Sequence, residues 1–423
     1  MNAPPPRNDG ELLSADAAAR RLGVRKATLY AYVSRGLLRA IPDPAQPKAS
    51  RYPAFEVERL QAAAHPARRL PVEPKAALYE GWPLVDTALT GVVGDAWVIR
   101  GQPLADLALT QSLEAVAALL WAVPESAAFD HPPPALPAVW HATAQALHMA
   151  EPASRAVALW GLAMPALDAL DGAGAGGTGG TRPAADAQAE GGLALARALG
   201  AHLRVAAACH LGVPPQGIPL HEQVAQAWGL GPTAHDPLRQ ALVLCADVSV
   251  NLMALSGRML ASLQGSLAAC LLATMSYGFV RLSGGEFEAV EALFDELQAA
   301  GPGGAAVADV AARRRERGEQ LPGFHHELFP HGDPRAAALC ARAQALGSPA
   351  GAWVQAMQPA TTPLRPTLDW GLVALCRALG APPRGAFTLM HLARSAGMLA
   401  QVLEQRQLPQ RMWVRSRYVG EGA

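Results

Sequence analysis

A short stretch near the amino terminus concentrates basic side chains in a chain whose formal net charge is zero. Lys and Arg contact the phosphate groups of nucleic acids through charge and hydrogen bonds. Neutrality of the whole chain excludes a globally basic protein, but this local patch predicts DNA as a partner. Between positions 20 and 51 the only acid is Asp43, and the basic residues are Arg20, Arg21, Arg25, Lys26, Arg35, Arg39, Lys48 and Arg51.

The spacing of cap and turn residues predicts how this patch is built. We expect Ser14 to cap a helix that ends at Leu22, Gly23 to make a tight turn, and a second helix to run over residues 24–35. Residues 38–52 are expected to form a short hairpin wing and residues 55–63 a supporting helix. The side chains that this arrangement would bury are Leu22, Val24, Leu29 and Val33.

The string DAAARRLGVRKATLYAYVSRGLL resembles the MerR or excisionase type of winged helix-turn-helix. The resemblance implies a DNA-binding module in which the start of the second helix and the wing reach base edges or phosphates. The alternative is a small helical docking module whose basic residues are only a solvated face. The expected DNA-binding residues are Arg25, Lys26, Thr28, Tyr30 and Arg51.

Length and composition predict a mainly α-helical protein of two or three compact units. The chain has 423 residues, of which 51% are hydrophobic and 5% aromatic, and this balance favours helices packed through small side chains over sheets. We expect a disordered lead over residues 1–12, the small module over 13–65 and a Pro-containing linker over 66–78.

A low-complexity stretch over residues 171–192 is expected to be a flexible Gly-rich surface loop. Gly172, Gly174 and Gly177 have the spacing of a dinucleotide-binding loop, but a helical segment precedes them where that motif needs a strand. Helical periodicity recurs elsewhere, and its longest uninterrupted stretch covers residues 238–277.

The cysteines and histidines show no metal-ligand spacing, so we expect no metal site and no cofactor. The five cysteines lie in apolar helical contexts and are expected to be buried free thiols. Neither a secretory signal nor an apolar stretch of about 18 residues is evident, which predicts a cytoplasmic protein without a membrane span. The histidines expected at the surface are His202, His210, His221 and His235.

Motifs in the larger part of the chain resemble the citrate synthase family. They begin at Arg100 with RGQPLADLALTQSLEAVAALLW and continue with PGFHHELFPHGDPRAAAL, RPTLDWGLVALCRALG, ARSAGMLAQVLEQ and VRSRYVG. The resemblance covers residues 79–420. It implies an all-α fold with a large subdomain over residues 79–286, a small subdomain over 287–385, and a return to the large subdomain with a carboxy-terminal arm over 386–423.

The resemblance implies a reaction that joins the methyl carbon of an acyl-CoA to the keto carbon of oxaloacetate. Such a reaction needs a carboxylate to take the α-proton, a donor to stabilise the enol and a second donor to polarise the keto group. On this resemblance Asp369 of PTLDW is the base, and His326 of FHHEL is a donor unless a one-residue shift assigns that role to His325. Ser283 of VRLSGGEF stands where the family has its enol-stabilising His.

The resemblance also implies acyl-CoA and a dicarboxylate as ligands. Arg335 of DPRA and Arg394 of ARSAG match the family's carboxylate-binding arginines. Val248 and Trp413 stand where the family has a substrate-contacting His and its last Arg, and Arg415 is a candidate to replace that Arg. Because the last Arg of the family is supplied across a dimer interface, the chain is expected to form a homodimer.

Three functions remain open on the sequence. The first is a regulator that binds an acyl-CoA or a dicarboxylate at a site with impaired catalysis and presents two DNA-binding modules. The second is an active citrate or 2-methylcitrate synthase, which Asp369 favours. The third is a non-catalytic subunit that pairs with a complete citrate synthase homologue. The loss of two histidines, at positions 248 and 283, favours the first.

Overall fold

The structure, a computed structural model, forms two compact units, Met1–Val85 and Asp86–Ala423. In the first it describes residues 12–22, 24–34, 38, 40–43, 46–53, 57 and 85. In the second it describes residues 86–93, 96–175, 184–247, 249–279, 281–301, 304–324, 332–361, 364–409 and 411–412. The expected lead before residue 12 and the linker over 66–78 lie outside these ranges.

The amino-terminal unit combines two short helices with a three-stranded antiparallel sheet. Its elements are β1 (Leu12–Ser14), α1 (Ala15–Leu22), α2 (Lys26–Ser34), β2 (Ile41–Asp43) and β3 (Gln46–Pro53). The strand order is β1-β3-β2, so β2 and β3 form a hairpin where the sequence predicts a wing. Leu22, Leu29, Leu38 and Tyr52 are buried in one small core against which Val24 and Val33 pack.

Local hydrogen bonds define the two helices of this unit. The Ser14 hydroxyl accepts from Ala17 N at 3.3 Å, as expected of a cap. Val24 N donates to Ala19 O at 3.0 Å, which closes α1, and α2 therefore begins at Lys26 instead of the expected residue 24. It ends at Ser34, one residue before the predicted end. Of the helix expected over residues 55–63, only Val57 is described.

The larger unit begins with an antiparallel sheet of order β4-β5-β6 and continues almost entirely as helices that share one apolar core. The strands are β4 (Thr90–Val93), β5 (Ala96–Ile99) and β6 (Gln102–Pro103). The helices up to residue 245 are α3 (Leu104–Thr110), α4 (Leu113–Trp121), α5 (Glu125–Phe129), α6 (Ala138–Ala146), α7 (Pro152–Ala175), α8 (Ala184–Leu211), α9 (Leu220–Ala227) and α10 (His235–Cys245). Those that follow are α11 (Leu252–Ser262), α12 (Leu267–Met275), α13 (Arg281–Ala300), α14 (Gly304–Glu316), α15 (Pro334–Ala345), α16 (Pro349–Thr361), α17 (Leu368–Leu379) and α18 (Gly385–Gln407). This mainly helical architecture confirms the expected fold class for the larger unit.

The expected loop over residues 171–192 is wrong at both ends. Helix α7 continues to Ala175 and α8 already begins at Ala184, so residues 176–183 alone lie outside the described part of this stretch. Residues 184–190 read AADAQAE, which are mostly strong helix formers, and a Gly inside a helix costs only about 1 kcal/mol relative to Ala. The long α7 and α8 pack against each other, and that packing outweighs the glycine cost.

The periodic stretch over residues 238–277 is divided among α10, α11 and α12. Ser249 has a left-handed φ of 68°, and the Asn251 side chain then caps α11 by accepting from Ala254 N. A second left-handed residue, Gln264, precedes Ser266, whose side chain caps α12. The expected subdomain boundary at residues 286–287 falls inside α13, which continues across it to Ala300.

Candidate active site

Three charged side chains that the sequence singles out come from three different helices of the larger unit. Arg335 lies in the first turn of α15, Asp369 in the first turn of α17 and Arg394 in the middle of α18. Asp333 caps α15 by accepting from Arg335 N, with Pro334 at the first helical position, where its missing N–H costs nothing. Nearly every side chain of α18 up to Val402 is buried, so Arg394 is fixed inside the core.

Arg335 is held in a rigid setting at the start of α15. Its side chain is 3% exposed and forms a two-pronged pair with Asp333, Nε to Oδ1 at 2.9 Å and Nη2 to Oδ2 at 2.7 Å. The guanidinium carbon also lies 5.5 Å from the centroid of the Trp97 ring. A paired, stacked guanidinium loses little freedom when it binds a carboxylate, so Arg335 is preorganised.

Arg394 is a second buried cation. It is 4% exposed, and its Nε donates to Cys245 O at 3.0 Å. Burial lowers the pKa of Arg394, while the nearby carboxylate of Asp247 raises it. Asp247 in turn accepts from Thr90 Oγ1 at 2.6 Å and from Gln401 Nε2 at 3.2 Å. The charge of Arg394 is thus balanced by a carboxylate that other side chains hold in place.

Asp369 lies beside these two arginines in a setting that favours its protonated form. The pKa of Asp369 is raised to about 6, first by burial and then by the charge of Glu286, while Arg335 and the Thr367 hydroxyl act in the opposite direction. The charges of Asp369 and Arg335 both act on Arg394 as well, so the three residues form one electrostatic cluster. A carboxyl group that titrates near neutrality is suited to taking and returning a proton.

Other residues that the sequence assigns to this site are described in part or not at all. Ser283 lies on α13, and only its backbone is described. His326, Arg415, Val248 and Trp413 lie outside the described residues, as does His325. The structure therefore brings together Asp369, Arg335 and Arg394.

A groove of about 670 Å³ adjoins the site on the side of α15 and α16. It is lined by Asp333 and Trp370, which flank Arg335 and Asp369 in sequence, together with apolar and basic side chains that include Val354, Leu364 and Arg365. Pockets for ligands of cofactor size commonly fall in this range of volume. Among the described residues, its lining combines apolar and polar side chains with the cation Arg365.

In the amino-terminal unit the candidate DNA-binding residues are mostly exposed. Arg25, Lys26, Thr28 and Tyr30 lie at or just before the start of α2 with their side chains toward solvent. Lys26 Nζ forms an ion pair with Asp16 at 2.8 Å. Arg51, the candidate on the wing, is already bonded through Nε to Asp43 Oδ2 at 2.7 Å.

Sequence reasoning missed Glu286 and misplaced two histidines. Glu286 directly follows the glycine pair after Ser283, and an acid at that place was the signal available in the sequence. His202 and His210, expected at the surface, are buried on α8 because their positions fall on its core-facing side. The five cysteines are buried free thiols, as expected.

The described residues contain no group of His, Cys, Asp and Glu side chains placed to hold a metal ion. Within the described part of the chain, no helix combines the length and the apolar character needed to cross a bilayer.

Known proteins resemble the larger unit in sequence and in fold. Putative citrate synthase 2 of Mycobacterium tuberculosis is 30% identical over 191 residues, which is 43% of this chain and 50% of that protein. Citrate synthase of Haloferax volcanii is 32% identical over 115 residues, 25% of this chain and 30% of that protein. The chain thus matches half or less of the length of these relatives.

Solved structures share the fold at low sequence identity. Citrate synthase of Pyrobaculum aerophilum has a TM-score of 0.66 at 19% identity, covering 81% of this chain and 91% of that one. The Thermoplasma acidophilum enzyme, solved with carboxymethyl coenzyme A and oxaloacetate, has a TM-score of 0.59 at 20% identity, covering 81% and 95%. The family model for the citrate synthase C-terminal domain matches residues 78–417, and the chain therefore belongs to the citrate synthase family.

Proposed function

We propose that this chain binds an acyl-CoA and an oxaloacetate-type dicarboxylate at the Asp369 cluster and condenses them to a citrate-type product. The observation that carries the proposal is the meeting of Asp369, whose pKa is raised to about 6, with the buried cations Arg335 and Arg394. Two fixed guanidinium groups suit the two carboxylates of such a substrate. A carboxylate that interacts with both suits the removal of a weakly acidic α-proton.

The steps follow from these groups. Asp369 takes a proton from the carbon next to the thioester carbonyl, and the resulting enol attacks the keto carbon of the dicarboxylate held by Arg335 and Arg394. Hydrolysis of the thioester then releases CoA. His326 is the proposed donor to the keto oxygen, and Ser283 replaces the family's enol-stabilising His. Loss of one such donor typically lowers the rate by roughly 10²–10³-fold, so the condensation is expected to be slow.

The groove beside α15 and α16 supports acyl-CoA as the second ligand. Its lining joins apolar side chains to the cation Arg365, which suits a molecule that has an apolar arm and a phosphorylated end. The lining also includes Asp333, the ion-pair partner of Arg335, so a ligand in the groove would lie next to the cluster.

The test is release of CoA thiol by the pure protein with oxaloacetate and acetyl- or propionyl-CoA. We expect slow release, its loss in Asp369→Asn and a gain in Ser283→His. Asp309→Asn, an exposed acid on α14, is the matched control and should not change the rate. Absence of thiol release from the unmodified protein and from Ser283→His alike would refute the condensation. If the pure protein released none but raised the rate of a complete citrate synthase homologue above that of the homologue alone, the chain would be its non-catalytic partner.

A second function, DNA binding by the amino-terminal unit, is supported by the exposed polar face at the start of α2. Arg25, Lys26, Thr28 and Tyr30 are exposed there, and a hairpin follows where a wing would contact the backbone of the duplex. One such module makes few contacts, so a homodimer carrying two copies is the expected binding form. Acyl-CoA or dicarboxylate binding to the larger unit would then regulate DNA binding if the ligand favoured one dimer arrangement.

A gel-shift screen against genomic fragments, with and without acyl-CoA, tests this second function. We expect salt-sensitive binding that the Arg25→Ala/Lys26→Ala double variant weakens across all sequences. Arg313→Ala, which removes an exposed Arg from α14 of the larger unit, is the matched control. Binding that is absent, or equally weak in the control, would leave the docking-module alternative.

A further inference from the structure

One carboxylate outside the expected catalytic set is linked to Asp369 by hydrogen bonds. Glu286, on α13, accepts from Gly323 N through Oε1 at 2.7 Å. Gly323 O accepts from Thr367 N at 2.8 Å, and the Thr367 hydroxyl lies 3.4 Å from Asp369 Oδ2. The backbone of Gly323 thus connects the Glu286 carboxylate to Thr367, the residue just before α17, which carries Asp369.

The backbone conformation and the close neighbours of Gly323 leave no room for a larger residue at this point of the link. Its φ of +82° is a left-handed conformation that favours glycine, and an added Cβ would lie 2.9 Å from Trp370 Cβ and 3.0 Å from Val290 Cγ2. The next residue, Phe324, packs its ring 4.6 Å from that of Trp370. Helices α13 and α17 are therefore held together at the point where Glu286 and Asp369 lie.

We propose that Glu286 is a positioning residue for Asp369: through Gly323 it fixes the start of α17, and its negative charge strengthens Asp369 as a base. The inference rests on the proposed role of Asp369 in taking the α-proton. A second carboxylate nearby disfavours the charged form of the first and so increases its affinity for a proton. A base with higher proton affinity removes a weakly acidic proton more readily.

Several other groups face Asp369 and bear on its titration. Arg335 on α15, itself paired with Asp333, lowers the pKa of Asp369. Arg394 on α18 and the thiol of Cys245 on α10 interact with the Asp369 charge. These cations stabilise the carboxylate form, and burial opposes them, as does the charge of Glu286, which is the charged group that raises the proton affinity of Asp369.

The experiment follows the protonated carboxyl of Asp369 directly in the resting full-length protein without substrates. Its infrared band is identified as the one lost in Asp369→Asn, and its intensity is measured against pH. In Glu286→Gln, which keeps an oxygen able to accept from Gly323 N but removes the charge, we expect the midpoint to fall by about one pH unit. Glu288→Gln removes an exposed acid from the same helix and should leave the midpoint unchanged.

Glu286→Asp is the second variant, because it shortens the side chain and keeps the charge. Its midpoint should stay near that of the unmodified protein. An unshifted midpoint in Glu286→Gln would overturn the inference, since a purely structural role would alter stability alone. An equal shift in Glu286→Asp would also overturn it, because that variant keeps the negative charge.

The infrared midpoint does not depend on turnover, so the two proposals can fail separately. A shifted midpoint without CoA-thiol release keeps the role of Glu286 in setting proton affinity and refutes the condensation. Thiol release with an unshifted midpoint supports the condensation and refutes the role of Glu286 in setting proton affinity. Where turnover occurs, the acid limb of the kcat/KM profile should move to lower pH together with the infrared midpoint.

Discussion

Two ion pairs, one from each unit of this chain, lie in opposite settings. In the amino-terminal unit Lys26 and Asp16 form an ion pair at 2.8 Å with 49% and 61% of their side chains exposed. In the larger unit Arg335 and Asp333 form one at 2.7 Å with 3% and 0% exposed. The distances are alike, and the environments decide what each pair can do.

This difference bears on function in both units. An exposed pair is weak because water and salt screen it, so Lys26 can exchange Asp16 for a phosphate at little cost. A buried pair carries a desolvation penalty that hydrophobic side chains of similar size would avoid, and groups with perturbed ionisation cluster at functional sites. The buried charges of the larger unit thus indicate binding of a charged ligand, and the exposed ones indicate a surface for a charged partner.

The largest effect is expected from removing the buried carboxylate. Asp333→Ala should lower the free energy of unfolding of the larger unit by about 3–5 kcal/mol, because a buried guanidinium loses the group that neutralises it. Asp16→Ala, its exposed counterpart, should leave unfolding almost unchanged. Urea unfolding followed by circular dichroism measures both.

A control separates charge from capping in this prediction. Asp333 also caps α15, and Asn is an equally good cap, so Asp333→Asn should retain the cap and lose only the ion pair. Equal urea midpoints for Asp333→Ala, Asp333→Asn and the unmodified protein would contradict the contrast between buried and exposed pairs.

A smaller loss of unfolding free energy is expected at acid pH, again in the larger unit. Burial lowers the pKa of His210 to about 3 and also lowers the pKa of His391, whose ring lies 6.1 Å away. The unfolded chain takes up these protons near pH 6.5 and the folded chain does not, so stability is lost as the pH falls below about 6.5. At pH 5 the loss from His210 is roughly 2 kcal/mol, and His391 adds to it in the same direction.

Unfolding at pH 7 and pH 5 tests this loss. In His210→Gln the difference in unfolding free energy between the two pH values should shrink by roughly that amount. His148→Gln, an exposed histidine, should leave the difference as it is. No histidine lies among the described residues of the amino-terminal unit, so acid sensitivity of equal size there would contradict this origin.

The sequence predicts the elements of this fold where local signals are strong. Ser14 caps α1 as predicted, whereas the caps at Asn251 and Ser266 divide the helical stretch that the sequence predicts over residues 238–277. It fails where tertiary packing decides, as in residues 171–175 and 184–192, where the pairing of α7 with α8 outweighs a glycine-rich composition.

The candidate site shows the same limit. Family motifs place Arg335, Asp369 and Arg394 in the sequence, but not the partners that tune them, since Asp247, Gly323 and Glu286 become neighbours of the site through folding alone. The place of Glu286 after the glycine pair is visible in the sequence, but its role depends on the backbone N–H of Gly323, which it meets only in the folded chain.

The smallest effect concerns the exposed charges, where two arginines of the amino-terminal unit differ in their partners. Arg25 is exposed before α2, whereas Arg51 Nε is bonded at 2.7 Å to Asp43, which is 7% exposed. If both face DNA, Arg25→Ala should reduce the slope of log affinity against log salt by about one, the value for one lost phosphate contact. Arg51→Ala should reduce it by less, because Asp43 already neutralises much of its charge.

The variant Asp43→Asn tests the wing directly. It frees Arg51 and should therefore steepen the slope of log affinity against log salt. A slope that Asp43→Asn leaves unchanged would show that the wing does not reach the phosphates.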